Sequence, residues 1–289
     1  MQPEPSLSRK TILFLKLIRI QNLIIILISQ YAAAIFLIKG LSAWYTVIMD
    51  PKMLALSMAT LLIAAGGYII NDYYDVKIDM INKPERIVVG MLMKRRTAII
   101  LHTCINVAGI LCGFIVNWKA GLISTLISFL LWLYSVWLKK TAFAGNILIS
   151  LLSASSLVLL IFYFSAPYGI LLIYAGFAFF ISLIREIIKD MEDMKGDAAF
   201  GCKTLPILFG IRKTKTILFV LIILFTTILI VSGIQIDLNV LAFLGLFVVP
   251  PLIWLSFGLA RADSSREFTK LSFLCKYIML SGIISMIFI

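Results

Sequence analysis

The 289-residue sequence predicts an all-α, polytopic membrane protein with about nine transmembrane helices. Three observations carry that expectation. The chain is 62% hydrophobic and 14% charged, with a mean hydropathy of +1.06, which is more apolar surface than a water-soluble domain can cover. Nine apolar runs approach the ~20 residues needed to cross a bilayer core. The basic residues gather at alternate ends of those runs, as they do when one side of a membrane is favoured.

In chain order the runs lie near 18–38, 53–70, 97–116, 121–138, 145–165, 168–187, 216–234, 239–260 and 271–289. Residues Met1–Ser8 read as a short disordered tail. The first apolar run is long and is preceded or interrupted by Lys16 and Arg19, so it does not read as a cleavable signal. Long polar connections occur at 71–96, after the second run, and at 188–215, after the sixth. The connections on the opposite side are short.

With the N-terminus inside, the inner segments hold 22 of the 26 Lys and Arg residues. Lys39, Lys52 and Lys119 fall outside, and Lys276 falls within the last run. The net charge of +12 therefore reads as membrane orientation, with no nucleic-acid partner implied. Runs two and six then cross in the same direction, so the 71–96 and 188–215 stretches emerge on one face. The N-terminus is expected in the cytoplasm, with the protein in the cell membrane.

Those two stretches carry the chemistry. The first, NDYYDVKIDMINKPER from Asn71 to Arg86, places Asp72, Asp75 and Asp79 at spacings of three and four. The second, KDMEDMKGD from Lys189, repeats the spacing with Asp190, Asp193 and Asp197. On a helix each set lies on one face, where like charges repel unless a cation joins them. With Asn71 and Glu192 they supply hard oxygen ligands of the type Mg²⁺ takes. A carboxylate set that holds Mg²⁺ commonly binds it together with substrate phosphates, so a diphosphate ligand is expected. The alternative is a solvated helix whose acids pair with Lys77, Lys83, Lys189 and Lys195, and the repetition argues against it.

Around the acids lie Lys77, Lys83, Arg86, Lys139, Lys189 and Lys203, each able to meet phosphate. Arg19 and Asn22 stand one turn apart, just inside the first apolar helix, where a simple anchor is not needed. Tyr134 and Lys139 close the fourth run; Tyr134 also suits a membrane interface. His102, the single histidine, reads as structural, and the four cysteines read as small buried hydrophobes. Nucleotide-binding glycine motifs are absent from the sequence.

At these residues the chain resembles the UbiA superfamily of intramembrane prenyltransferases. The likeness is carried by Asn71, Asp72, Asp75 and Asp79, then Asn82, Lys83, Pro84 and Arg86. It continues in Asp190, Asp193 and Asp197 followed by Gly201 and Thr204-Leu205-Pro206, with Arg19, Asn22, Tyr134 and Lys139 also matching. Met194 and the KDxEDxxGD wording are most similar to the digeranylgeranylglyceryl phosphate synthase branch. Where the family usually has Arg-Pro after the Pro-x-Arg element, this chain has Ile87-Val88. Lys139 stands five positions after Tyr134, whereas the quinone branch commonly uses four.

The resemblance implies one transmembrane domain over residues 1–289, its helices surrounding a central cavity covered by inner cap loops at 71–96 and 188–215. It implies Mg²⁺, with Mn²⁺ as a substitute, held by Asn71 and the six aspartates. Asp72, Asp75, Asp190, Asp193, Tyr134 and Lys139 are the expected catalytic residues. Arg19, Asn22, Asn71, Lys77, Lys83, Arg86, Lys189 and Lys203 are the expected substrate-binding ones. The implied reaction moves a geranylgeranyl group from its diphosphate to a lipid acceptor, geranylgeranylglyceryl phosphate, in ether-lipid synthesis. An aromatic, quinone-precursor acceptor is the alternative within the class, and a cation transporter is the alternative outside it.

Overall fold

A computed structural model describes residues 7–165 and 168–289, less the side chains of 7–10, Arg86 and Tyr168. Of the expected Met1–Ser8 tail, residues up to Ser6 lie outside the described part, and Leu7 already opens a helix. The helices are α1 (Leu7–Leu17), α2 (Ile20–Ala32), α3 (Trp44–Ile48), α4 (Pro51–Asn82), α5 (Arg95–Val116) and α6 (Trp118–Val136). They continue as α7 (Ala144–Phe164), α8 (Tyr168–Ala199), α9 (Leu205–Ile236), α10 (Leu238–Phe247), α11 (Val249–Arg261) and α12 (Ser265–Ile284). Among the described residues nine helical stretches are long and apolar enough to cross a membrane, as the sequence predicts. Two of the expected spans are broken internally. The first is α2 extended by a π-helical segment, Ala33–Lys39, and the eighth joins α10 to α11 at Val248.

The chain divides into two compact units. The first comprises the residues up to Leu27 together with Pro51–Val136, and so contains α4, α5 and α6. Between helices in lipid, water exclusion supplies little drive, so close approach of small residues takes its place. Gly109 and Gly113, four apart on α5, do this on both sides. A Cβ at Gly109 would stand 2.9 Å from Ile63 and 3.2 Å from the Ala59 carbonyl on α4. A Cβ at Gly113 would meet the Ser124 hydroxyl at 2.6 Å on α6.

A chain of paired polar groups runs through this unit, as burial in a low dielectric favours. His102 Nδ1 lies 2.9 Å from the Gly66 carbonyl. Asn106 Nδ2 donates to the His102 carbonyl at 2.9 Å, and Ser128 Oγ donates to Asn106 Oδ1 at 2.7 Å. His102 is thus a bridge between α4 and α5, in keeping with its structural reading. Leu17, Ile18 and Leu23 pack with Ala65, Ile69 and Val76 of α4. Val88 and Val89 join this cluster because the chain turns tightly through Gly90, at φ 88°, with Met93 N–H donating to the Val88 carbonyl at 2.9 Å.

The second unit comprises Ile28–Asp50 and Trp137–Ile289. On α8, Ile184, Ile187, Ile188 and Met191 are buried at helical spacing. Phe177 and Phe180 of α8 meet Phe225 of α9, the Phe180 and Phe225 rings stacking 5.9 Å apart. Gln30 Nε2 donates to the Ser156 carbonyl at 2.9 Å, tying α2 to α7. Outward-facing Leu, Ile, Phe and Trp side chains stay exposed, Trp254 at 70% and Ile223 at 66%, which is the surface a lipid-facing bundle presents. Cys202 and Cys275 are buried as expected; Cys104 is not, and lies on the exposed face of α5.

Candidate active site

Each aspartate motif rides on a transmembrane helix that does not stop at the membrane-sized length. Helices α4 and α8 are each 32 residues long. At 1.5 Å per residue that is about 48 Å, against a ~30 Å hydrocarbon core. The stretches 71–96 and 188–215, expected as loops, therefore begin as helix and become loop only after Asn82 and Ala199. The reason is local: neither motif contains a helix breaker strong enough to end it. Pro84 disfavours helix at Lys83 and stops α4. Helix α8 ends in a Schellman arrangement, with Gly201 left-handed at φ 70°. There the Cys202 N–H reaches the Asp197 carbonyl at 2.9 Å and the Gly201 N–H reaches that of Ala198 at 3.3 Å.

Continuing the helix puts the acids on its inner side. Asp75 and Asp197 are each 4% exposed and Glu192 is 7% exposed. The motifs are consequently not water-exposed loop helices. Asp72, Asp79, Asp190 and Asp193 are half-buried. Lys77, two positions from Asp75, projects from the other side of α4 and is exposed, so it is not brought to the carboxylates.

In the first unit the structure assembles a cluster that sequence spacing only half suggests. Arg19 Nη2 donates to Asp72 Oδ1 at 2.9 Å. Its guanidinium lies over the Tyr68 ring, 4.8 Å from the centroid. Asn22 Nδ2 donates to the Tyr68 hydroxyl at 3.2 Å. Arg19 is expected within a continuous helix; instead it is the joint between α1 and α2, in left-handed backbone at φ 51°. For a residue with a Cβ that conformation costs on the order of 1–2 kcal/mol, and such strain concentrates at functional sites. Tyr68 is absent from the sequence-derived set, although it stands one helical turn before Asp72. Within the motif, Asn71 Nδ2 donates to Asp75 Oδ2 at 2.6 Å.

In the second unit Asp190 Oδ2 accepts from Asn146 Nδ2 at 2.8 Å. Lys189 Nζ and Arg185 Nη1 both reach Glu186, at 3.0 and 2.8 Å. Lys189 is thus held by a buried carboxylate one turn back. Neither Asn146 nor Glu186 carries a motif signal of its own. Lys139 sits in the short helical turn Leu138–Lys140 that follows α6, and Tyr134 is half-buried near the end of α6. The Lys203 N–H donates to the Lys140 carbonyl at 2.8 Å, which docks the segment after the second motif onto the Lys139–Lys140 turn. Lys203 itself is exposed, Lys83 is half-buried, and the Arg86 side chain lies outside the described residues.

Among the described residues no three His, Cys, Asp or Glu side chains gather closely enough to hold a metal ion. The donor set of the two motifs is nevertheless entirely hard oxygen, from six aspartates and Asn71. That composition suits Mg²⁺ and not a soft metal. Asp72, Asp75 and Asp190 are steadied by N–H donors, a state open to replacement or reinforcement by a cation.

The sequence matches the model of the UbiA prenyltransferase family over residues 23–277. A digeranylgeranylglyceryl phosphate synthase of Korarchaeum cryptofilum is 30% identical over 270 residues, spanning 90% of this chain and 94% of that protein. The Saccharolobus solfataricus protein of the same name is 37% identical over 220 residues, 73% of each. Among solved structures, a UbiA homolog from Archaeoglobus fulgidus bound to GPP and Mg²⁺ matches with a TM-score of 0.69 and 15% identity. That match covers 96% of this chain and 100% of the other, and it shows a shared fold. The chain belongs to the UbiA prenyltransferase family and is an integral membrane prenyltransferase.

Proposed function

We propose that the protein transfers a geranylgeranyl group from its diphosphate to the free hydroxyl of geranylgeranylglyceryl phosphate, with Mg²⁺ required. The reading rests on one observation above the others. Two helix ends each present an Asp-x₂-Asp-x₃-Asp set whose members are buried or half-buried, in a chain of this family. The relatives' name supports the lipid-phosphate acceptor, and the Archaeoglobus homolog's bound GPP and Mg²⁺ support the donor class and the metal.

Asn71, Asp72, Asp75 and Asp79 in the first motif, and Asp190, Asp193 and Asp197 in the second, would each serve as ligands for a divalent cation. When bound, Mg²⁺ neutralises the charge that builds on a departing diphosphate. The chain's own residues do the rest. Arg19, held by Asp72, presents further N–H donors to phosphate. Lys83, Lys139 and Lys203 add positive charge, and Tyr134 lines the approach. The donor's C1–O bond breaks, leaving diphosphate and an allylic cation. The acceptor hydroxyl attacks C1 and loses its proton, closing an ether bond. Apolar helices keep water from taking the hydroxyl's place. Because 22 of 26 basic residues fall on one side, we place that side and the motifs in the cytoplasm, in the cell membrane.

The test supplies geranylgeranyl diphosphate with geranylgeranylglyceryl phosphate, or with an aromatic acid acceptor, and follows product and diphosphate. Ether product from the lipid phosphate alone is the expected outcome. Prenylation of the aromatic acid alone would reassign the acceptor, and shorter donors in parallel fix the chain length.

A further inference from the structure

We infer that Asn146 is a positioning residue for the second aspartate motif, its amide holding the Asp190 carboxylate in the orientation that a divalent cation needs. The inference rests on the metal-dependent reading above and concerns a residue outside both motifs. Asn146 Nδ2 donates to Asp190 Oδ2 at 2.8 Å across 44 residues of sequence. Asn146 is 7% exposed, so the bond is shielded from water.

The backbone around Asn146 is arranged to put it there. It is the third residue of α7, a helix that starts directly after Phe143, whose backbone has a positive φ of 64°. A phenylalanine in that conformation is strained, and it sets the direction in which α7 begins. The Asn146 carbonyl accepts from Ser150 Oγ at 2.7 Å, which secures the first turns. The preceding turn is in turn docked by the Lys203 N–H on the Lys140 carbonyl at 2.8 Å. That bond ties the turn before α7 to the segment after the second motif.

The choice of amide follows from charge. Asp190 shares its helix face with Asp193 and Asp197, and Glu186 is one turn behind, so the carboxylate sits in a repulsive field. A lysine at position 146 would relieve the repulsion but would compete with the metal for the same charge. A neutral N–H donor fixes one oxygen, favours the ionised form, and leaves the full negative charge for a cation. Asn71 does the same for Asp75 within the first motif, at 2.6 Å.

The test uses the full chain in nanodiscs, with Asn146→Leu, which keeps the side chain's size without the donor, and Asn146→Gln, which keeps the amide. Asp190→Asn serves as the control for the metal reading itself. Mn²⁺ binding in the presence of inorganic diphosphate is measured by calorimetry, alongside the Mg²⁺ dependence of turnover. We expect Asn146→Leu to weaken Mn²⁺ binding and raise the half-saturating Mg²⁺ by about 10- to 100-fold, with kcat largely recovered at saturating Mg²⁺. Asn146→Gln should recover part of both. Metal binding and Mg²⁺ dependence within about twofold of the parent in Asn146→Leu, while Asp190→Asn loses them, would overturn the role of Asn146 alone. Parental Mn²⁺ binding in Asp190→Asn would instead bring down the metal reading of the motif, and the Asn146 inference with it.

Discussion

Arg19 reaches Asp72 across 53 residues of sequence, Nη2 to Oδ1 at 2.9 Å, from the one position where α1 and α2 fail to join. The break and the ion pair explain each other. The positive φ at residue 19 bends the chain between α1 and α2 where the Arg19 side chain meets Tyr68 and Asp72.

Backbone strain and guanidinium chemistry at this joint can be separated. Arg19→Gly accepts φ 51° without a steric penalty but removes the donor. We expect its melting temperature in detergent to match or exceed that of the parent, while turnover falls by about 10- to 100-fold, the worth of one charged hydrogen bond. Arg19→Ala should lose both stability and activity. Parental turnover in Arg19→Gly would show that Arg19 is only a structural hinge.

Asp75→Asn keeps the size of the side chain and the i,i+4 contact with Asn71 while removing the charge. If the carboxylate stabilises the departing diphosphate, turnover should fall by about 100- to 1000-fold whichever acceptor is supplied. A defect confined to the acceptor's KM would assign Asp75 to acceptor binding.

Chelation should abolish turnover, and restoring Mg²⁺ should return it, because each motif sets three carboxylates on one helical face, where like charges repel unless a cation joins them. The same experiment reads stability: donor diphosphate should raise the melting temperature only when the metal is present. Full turnover in excess chelator would contradict the proposed function.

Gly201 terminates α8 just past Asp197, and a Cβ there would meet nothing within 4 Å. Any loss in Gly201→Ala is therefore due to its φ of 70° and should amount to about 1 kcal/mol of stability. Gly176→Ala, in the interior of the same helix and equally uncrowded, should be neutral or stabilising. Comparable melting shifts in the two variants would mean that the Schellman turn contributes nothing.

Gly113→Leu should destabilise the first unit severely, since even a Cβ would come within 2.6 Å of Ser124 and 3.1 Å of the Ala120 carbonyl. The shift is read as loss of the monodisperse peak on size exclusion, with Gly245→Leu, where a Cβ has open space, as the tolerated comparison.

The sequence alone determined the all-helical membrane class, the number of spans and the residues of both aspartate motifs. These are carried by signals that act locally: apolar run length against bilayer thickness, basic residues at run ends, and the three-four spacing of acids on one helical face. Tertiary structure decided which groups hold those acids. Tyr68 and Asn146 have ordinary identities in ordinary helical surroundings, and only folding brings their polar atoms to Asn22 and Asp190. The same holds for the strain at Arg19 and Phe143, since a non-glycine residue gives no sign in sequence that its φ will be positive. The lengths of α4 and α8 were also hidden, because a polar stretch after an apolar run reads as the end of a span. The helix continues because backbone hydrogen bonding, unlike hydropathy, is indifferent to where the bilayer stops, until Pro84 and Gly201 end it.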